Sequence, residues 1–130
     1  MKKFVLAFCT LYMFFVSHCF GIAAGFDDIK VGLYSGTFDP PTLAHDHIIR
    51  AAIKYLDLDK LYIFVNKNDA KDYKCSIRQR VEMLRCMLSD IEDKVIIIEQ
   101  VSEKKHQDYL FLKKCVNRPI FCITGYDSYI

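Results

Sequence analysis

Hydrophobic and polar positions follow one another in blocks along the chain after Gly25. Four short stretches are almost continuously apolar, and polar or turn-forming residues bound each of them. An apolar run of four to eight residues between turn signals is typical of a strand in a parallel sheet, buried on both faces. The pattern therefore predicts four strands, at residues 30–35, 60–65, 94–99 and 119–124.

The segments between these strands have a helical spacing of apolar side chains. Residues 42–56 and 102–116 each present an apolar stripe, and Ser76 is placed to cap a third helix whose stripe continues unbroken to Ile91. Strands that alternate with amphipathic helices predict an α/β fold, a Rossmann-like doubly wound parallel sheet covered on both faces. In the strand order 3-2-1-4, the loops at residues 35–41 and 124–128 face each other where the order reverses, which is where such sheets bind ligands.

The first 25 residues have a different composition. Lys2 and Lys3 precede an uncharged run at residues 4–16, and small residues follow at 21–25. This order predicts a signal peptide at 1–25, cleaved near Ala23–Gly25, and an exported domain at 26–130. A helix extended through Phe26 would be long enough to stay in the membrane as an uncleaved anchor, which is the alternative.

Charge and cysteine spacing exclude some classes of partner. Removing Lys2 and Lys3 from the 18 basic residues leaves as many basic as acidic residues, 16 of each. Such a balance produces no field that attracts nucleic acid, so we expect none as a partner. The absence of a CxxC pair argues against a zinc site. Disulfide bonding and simple burial both stay open for Cys75, Cys86, Cys115 and Cys122.

Candidate chemistry is concentrated between the first strand and the first helix, at residues 36–45. The start of a helix presents free backbone amides and a positive dipole end, which together form an anion site. Thr37 adds a hydroxyl donor, and Pro40 and Pro41 fix the turn without donating. His45 lies one turn into the helix, where its imidazole reaches back towards the same anion.

This run resembles the signature of the nucleotidylyltransferase superfamily (cytidylyltransferase-like), G-[TS]-F-D-P-x-[HT]-x-G-H. The matching positions are Gly36, Thr37, Phe38, Asp39, Pro40, Thr42 and His45. Residues 46–52, 65–71 and 76–84 are similar to phosphopantetheine adenylyltransferases. Residues 123–128 are more similar to nicotinate-mononucleotide adenylyltransferases, and the resemblance as a whole extends over residues 30–130.

The resemblance implies transfer of an adenylyl or cytidylyl group from ATP or CTP to a small phosphate-bearing acceptor, with release of pyrophosphate. Catalysis would consist of alignment and charge neutralisation, with His45 as the catalytic contact to the transition state. Mg²⁺ would arrive with the triphosphate, since no carboxylate cluster indicates a dedicated metal site. The residues implied to bind nucleotide or substrate are Thr37, Phe38, Thr42, Lys71, Gly125 and Asp127.

Several of these residues have simpler explanations. Lys71 is equally well explained as a solvated loop lysine, and Asp127 as a turn aspartate. Arg80 is expected to form an ion pair on its helix rather than to bind a ligand. The sequence His45-Asp46-His47 does not predict a metal site, because positions i and i+2 of a helix point to different sides.

The sequence also departs from the superfamily pattern. Ala44 replaces a glycine of the signature, so a methyl group lies where backbone would approach the nucleotide. The family continues into a further strand and a Ser/Thr-Arg motif that binds the triphosphate, which leads us to expect an incomplete domain. Two alternatives follow: a non-catalytic nucleotide- or phosphate-binding module, and a relic whose exposed edge strand forms a homo-oligomer.

Overall fold

The computed structural model describes residues 29–67, 72–99 and 105–125, and the predicted leader at 1–25 lies outside them. Four strands and three helices alternate along the chain. The strands are β1 (Val31–Gly36), β2 (Lys60–Val65), β3 (Val95–Glu99) and β4 (Ile120–Ile123). The helices are α1 (Leu43–Tyr55), α2 (Ile77–Met87) and α3 (Lys105–Val116), and a 3₁₀ turn at Ser89–Ile91 follows α2.

All four strands are parallel and lie in the order β3-β2-β1-β4. Tyr34 of β1 is opposite Ile63 of β2 on one side and Ile123 of β4 on the other. The predicted Rossmann-like α/β fold and its 3-2-1-4 order are therefore confirmed. Because the strands are parallel, the loops after β1 and β4 both leave from the carboxyl edge of the sheet, at the point where the strand order reverses.

Helices cover both faces of the sheet, as predicted. Side chains alternate along β2, so that Ile63 and Val65 pack against α1 and α2, whereas Tyr62 and Phe64 pack towards α3. Cover is weaker at the β4 edge, where Phe121 is 41% exposed. Among the described residues, no helix has the length and the apolar character needed to cross a membrane.

Helix α2 differs from its prediction at its carboxyl end. It begins as expected, because the Ser76 hydroxyl accepts a hydrogen bond from the Gln79 amide at 3.2 Å and the Gln79 side chain accepts one from the Ser76 amide at 2.9 Å. However, the regular helix ends at Met87, and Leu88 and Ile91 belong to its cap and to the 3₁₀ turn. Both side chains still pack in the core, since a 3₁₀ turn repeats every three residues and preserves their common direction.

The structure agrees with neither of the two explanations for the cysteines, disulfide bonding or simple burial. None of the four that fall within the described residues forms a disulfide there. Cys75 is half-buried, whereas Cys86, Cys115 and Cys122 are exposed. They are therefore neither disulfide partners nor fully buried hydrophobic side chains in this structure.

Candidate functional site

The signature run forms the loop that joins β1 to α1 at the carboxyl edge of the sheet. We call residues 37–42 the motif loop. Phe38 has a left-handed backbone with φ of 51°, which turns its ring back over the end of β1. The ring is 1% exposed, and a Cβ added to Gly36 would lie 2.8 Å from it. Gly36 is thus the residue that allows the ring to pack there.

Phe38 also joins the loop to the first helix. Its ring packs edge-on against Tyr34, with ring centroids 5.4 Å apart, and against the imidazole of His45, with centroids 4.9 Å apart. Because the side chain is buried, a ligand at this loop would meet Phe38 through its backbone rather than through its ring. The structure therefore limits the predicted ligand contact of Phe38 to its backbone, and that contact stays a prediction.

His45 is held at the start of α1 by the residue that caps the helix. The backbone amide of Thr42 donates a hydrogen bond to Nδ1 of His45 at 2.9 Å, and the Thr42 hydroxyl lies 3.0 Å from the same nitrogen. His45 therefore takes the place that Glu or Gln occupies in a capping box. Because Nδ1 accepts an amide hydrogen, the neutral imidazole has its proton on Nε2. The second ring nitrogen is then a hydrogen-bond donor.

Burial lowers the pKa of His45 below its ordinary value. The hydrogen bond from the Thr42 amide acts in the same direction, since a proton on Nδ1 would have to displace it. At neutral pH the ring is consequently uncharged, with one fixed donor. Such a group can donate a hydrogen bond to an anionic oxygen without a change of its own protonation state.

Asp39 ties the motif loop to the segment that leads into α2. Its carboxylate accepts hydrogen bonds from the amides of Lys74 at 2.7 Å and Cys75 at 2.8 Å. Desolvation acts to raise the pKa of Asp39, but these two amides and the nearby charge of Arg80 outweigh it and hold that pKa below the ordinary value. The Asp39 carboxylate is thus occupied as a structural acceptor.

Arg80 differs from the expected helix ion pair. It is 1% exposed, and its Nη1 donates to the backbone carbonyls of Thr37 at 2.7 Å and Asn66 at 2.8 Å. Its guanidinium carbon lies 4.2 Å from the centre of the Tyr73 ring. The expectation was wrong because α2 turns this side chain towards the carboxyl edge of the sheet, where the carbonyls of two loops are within reach.

A buried polar pair at the same edge had no signal in the sequence. The Ser35 hydroxyl, one residue before the end of β1, donates to the carboxylate of Asp108 on α3 at 3.0 Å. Asp108 is only 4% exposed. It lies among other polar residues in a weakly amphipathic helix, 73 positions from its partner, so no local pattern indicates the contact.

The other predicted site residues are only partly brought together by the described structure. Thr42 is exposed at the start of α1, and Gly125 follows β4 on the same edge of the sheet. Ala44, which departs from the signature, is also exposed there. Lys71 and Asp127 lie outside the described residues. Across residues 29–67, 72–99 and 105–125, no group of three or more His, Cys, Asp or Glu residues is placed to hold a metal ion.

Solved structures with a similar fold include nicotinic acid mononucleotide adenylyltransferase from Plasmodium falciparum complexed with NaAD. It matches 72% of this chain and 50% of its own, with a TM-score of 0.62. The sequences are only 15% identical, so this likeness establishes the fold alone. The same enzyme complexed with APC gives a TM-score of 0.53.

Curated relatives are more similar in sequence. A probable nicotinate-nucleotide adenylyltransferase of Listeria monocytogenes is 44% identical over 66 residues, which are 48% of this chain and 35% of that protein. A phosphopantetheine adenylyltransferase of Lachnoclostridium phytofermentans is 36% identical over 69 residues, 53% of this chain and 41% of that protein. A Hydrogenobaculum relative of the first kind is 32% identical over 108 residues, 77% of this chain and 56% of that protein.

The matched region thus spans about a third to just over half of the length of these curated relatives. The family model described as cytidylyltransferase-like matches residues 33–129, which include all four strands except the first two residues of β1. A match over this length, together with the motif loop and the strand order, shows that the chain belongs to the cytidylyltransferase-like family.

Proposed function

We propose that this chain provides the nucleotide-binding part of an adenylyltransferase. The reaction would move AMP from ATP to the phosphate of a small acceptor and release pyrophosphate. Adenylyl transfer is preferred over cytidylyl transfer because the curated relatives reported above are named as adenylyltransferases. The observation on which the proposal rests is the capped His45, whose geometry leaves one fixed donor at the amino end of α1.

The chemistry that these residues support is in-line displacement at the α-phosphorus. A phosphate oxygen of the acceptor forms the new P–O bond, the bond from the α-phosphorus to the oxygen bridging to the β-phosphorus breaks, and pyrophosphate leaves with that electron pair. The Nε2–H of His45 would donate to an α-phosphate oxygen, where negative charge has to be stabilised. No proton transfer to His45 is needed, which agrees with its lowered pKa.

The start of α1 would supply the remaining phosphate contacts on this side. The first amides of an α-helix have no acceptor within the helix, and its dipole favours an anion there. We assign the Thr37 hydroxyl and the Thr42 end of the helix to the nucleotide. Lys71, Gly125 and Asp127 are assigned to the acceptor side, Gly125 because it follows β4 on the same edge of the sheet.

Magnesium is proposed to accompany the nucleotide. A divalent ion bound by phosphate oxygens neutralises their charge and needs few protein ligands. Two carboxylates at this edge of the sheet are used otherwise, since Asp39 accepts two backbone amides and Asp108 accepts the Ser35 hydroxyl. Because these carboxylates are already engaged, we propose a metal ion that is bound mainly by the triphosphate rather than by protein carboxylates.

Residues 1–25 are proposed to be a signal peptide that exports the chain, on the basis of their basic, apolar and small-residue order. An N-terminal sequence that starts near Gly25 or Phe26 is the expected result for the mature protein. Intact Met1 in a soluble cytoplasmic fraction would overturn this assignment, and intact Met1 in the membrane fraction would indicate an uncleaved anchor.

The activity is tested with the full chain, ATP, Mg²⁺ and two acceptors, nicotinate mononucleotide and phosphopantetheine. We expect pyrophosphate release with one of them, and a fall of about 10²–10³-fold in kcat for His45→Ala, typical of a lost transition-state donor. His47→Ala is the matched control, because His47 is an exposed histidine on the same helix.

Three results would contradict the proposal in different ways. Equal rates for His45→Ala and His47→Ala would remove His45 from the reaction. Calorimetric binding of ATP without turnover would favour the non-catalytic nucleotide-binding module. No binding of ATP, CTP or nucleoside monophosphates would exclude both functions.

A further inference from the structure

Arg80 occupies an unusual position for a charged residue. It is 1% exposed, although arginine is almost never fully buried unless its charge is paired. It contacts two backbone carbonyls and the face of one aromatic ring, and the charge of the Asp39 carboxylate is nearby. Within the part of the chain that the structure describes, Nε of Arg80 and Oδ1 of Asn66 are buried without a hydrogen-bond partner.

Burial of a charged guanidinium costs more free energy than burial of an apolar side chain that fills the same space. Removing a guanidinium from water costs free energy that the carbonyl contacts and the nearby charge of Asp39 offset only in part. Packing alone therefore does not explain an arginine here. The position of the Thr37 and Asn66 carbonyls in the fold offers a better explanation for the arginine.

Both carbonyls belong to loops at the carboxyl edge of the sheet. The Thr37 carbonyl is in the peptide unit directly before Phe38, the residue with the left-handed backbone. The Asn66 carbonyl follows β2, and the Asn66 amide in turn donates to the Gly36 carbonyl at 2.8 Å. One nitrogen of Arg80 thus fixes the loops after β1 and β2 relative to each other.

A left-handed backbone at a bulky residue is strained and persists only where its surroundings impose it. The hydrogen bond from Arg80 fixes the direction of the Thr37 carbonyl, and that direction sets the peptide plane on which the φ angle of Phe38 depends. The Tyr73 ring, 4.2 Å from the guanidinium carbon, limits the rotation of Arg80 itself. A chain of contacts therefore runs from Tyr73 through Arg80 to the Thr37–Phe38 turn.

We propose that Arg80 is a positioning residue of the nucleotide site, which holds the Thr37–Phe38 turn in the conformation that receives the triphosphate. The inference rests on the proposed function for the identity of the ligand. Arg80 itself need not touch the nucleotide. Its role is to keep the Thr37 hydroxyl and the backbone of Phe38 in place before the ligand arrives.

The test uses the full chain with Arg80→Lys, Arg80→Met and, as the matched control, Arg78→Lys. Arg78 is exposed on the same helix. We expect Arg80→Lys to bind ATP about tenfold more weakly, because an ammonium is a point donor and cannot reproduce the flat guanidinium stacked on Tyr73. Arg80→Met should bind more weakly still, and its thermal midpoint should fall as well, because methionine leaves the Thr37 and Asn66 carbonyls without their donor. Arg80→Lys is therefore the informative variant, since it keeps a donor and should lose less thermal stability than Arg80→Met.

A purely structural role gives a different pattern. It predicts that the loss of ATP affinity follows the loss of thermal stability across the three variants, and that the lysine variant recovers neither. In turnover assays, positioning predicts a raised KM for ATP in Arg80→Lys with kcat changed by less than about threefold. Unchanged ATP affinity in Arg80→Met would overturn the inference.

A readout without ligand separates this inference from the proposed function. In Arg80→Lys, the backbone amide resonances of Thr37 and Phe38 should shift more than those of residues in α1, whether or not ATP binds. If the unaltered chain binds no nucleotide but these resonances move, the proposed function fails and Arg80 still positions the turn. If they do not move, the positioning role is wrong even if ATP binds.

Discussion

The two loops at the carboxyl edge of the sheet are held in different ways. The motif loop is fixed from several sides: by the Phe38 ring over Gly36, by the amides that bind Asp39, and by Arg80 on the Thr37 carbonyl. At the start of the loop after β4, by contrast, a Cβ added to Gly125 would meet no atom within 4 Å among the described residues other than its chain neighbours. One loop is tightly packed and the other begins beside open space.

This difference suggests a division of work between the loops. A nucleotide common to many related enzymes is best bound by a rigid turn, because pre-formed contacts cost no ordering free energy on binding. An acceptor that differs from enzyme to enzyme needs room that can be shaped independently. We infer that the motif loop serves the nucleotide and that the loop after β4 serves the acceptor.

A large loss of stability is expected on the packed side, with Gly36→Ala. The new methyl group would lie 2.8 Å from the buried Phe38 ring, so the ring or the strand has to move. Overpacking of this kind costs about 2 kcal/mol of unfolding free energy. Urea denaturation of the full chain measures the loss, and ATP affinity should fall with it, because the turn is displaced.

A double-mutant cycle assigns that loss to the ring. In a Phe38→Ala background the obstacle is gone, so Gly36→Ala should cost little beyond the loss from Phe38→Ala itself, about 3 kcal/mol. An additive cycle would mean that the motif loop is not fixed by the Phe38 ring. The comparison between the two loops would then lose its strongest support.

The sequence was a good guide to the sheet and a poorer one to the packing of the motif loop. Continuous apolar runs record burial directly, which is why the four strands could be predicted. The order 3-2-1-4, which is confirmed, was instead the one that brings the two unusual loops after β1 and β4 to face each other. The direction of the Phe38 ring could not, because it depends on a left-handed φ at that residue. That φ is supported by Arg80, 43 positions away from Thr37, which no local pattern reveals.

Polar contacts between distant elements were the other gap. The Ser35–Asp108 hydrogen bond joins β1 to α3, and Arg80 joins α2 to two loops. Each residue alone has an ordinary explanation as a surface or helix residue, so only the packed structure shows their roles. The proposed contacts of Lys71 and Asp127 stay predictions, because both residues lie outside the described part of the chain.

A smaller effect, dependent on pH, is expected from Asp39→Asn. The folded state holds the pKa of Asp39 below 3.8, its ordinary value, so the carboxylate stabilises the fold above that pH. This stabilisation is lost as the pH falls below 3.8 and through the lower pKa of the folded state. The unfolding free energies of the two proteins should therefore differ at pH 7 and converge in acid.

Asp57→Asn is the matched control for the loss of a carboxylate. Asp57 lies at the opposite edge of the sheet, its side chain is 91% exposed, and its left-handed φ of 53° is one that asparagine also adopts. Its unfolding free energy at pH 7 should differ little from that of the unaltered protein, because an exposed surface side chain contributes little to stability. A constant gap between Asp39→Asn and the unaltered protein from pH 7 to pH 2 would show that the Asp39 charge does not help to hold the motif loop.

The smallest effect on stability, and the most direct test of the division of work, is expected from Gly125→Ala. Gly125 has no positive φ, and no described residue other than its chain neighbours lies within 4 Å of the added methyl group, so the unfolding free energy should change by less than about 0.5 kcal/mol. If the acceptor occupies that space, its KM should rise about tenfold while the KM for ATP stays the same. A rise in the KM for ATP alone would place the nucleotide at the open loop and reverse the assignment. An unchanged KM for both substrates would mean that neither approaches Gly125, and the open space beside β4 would then have no part in the reaction.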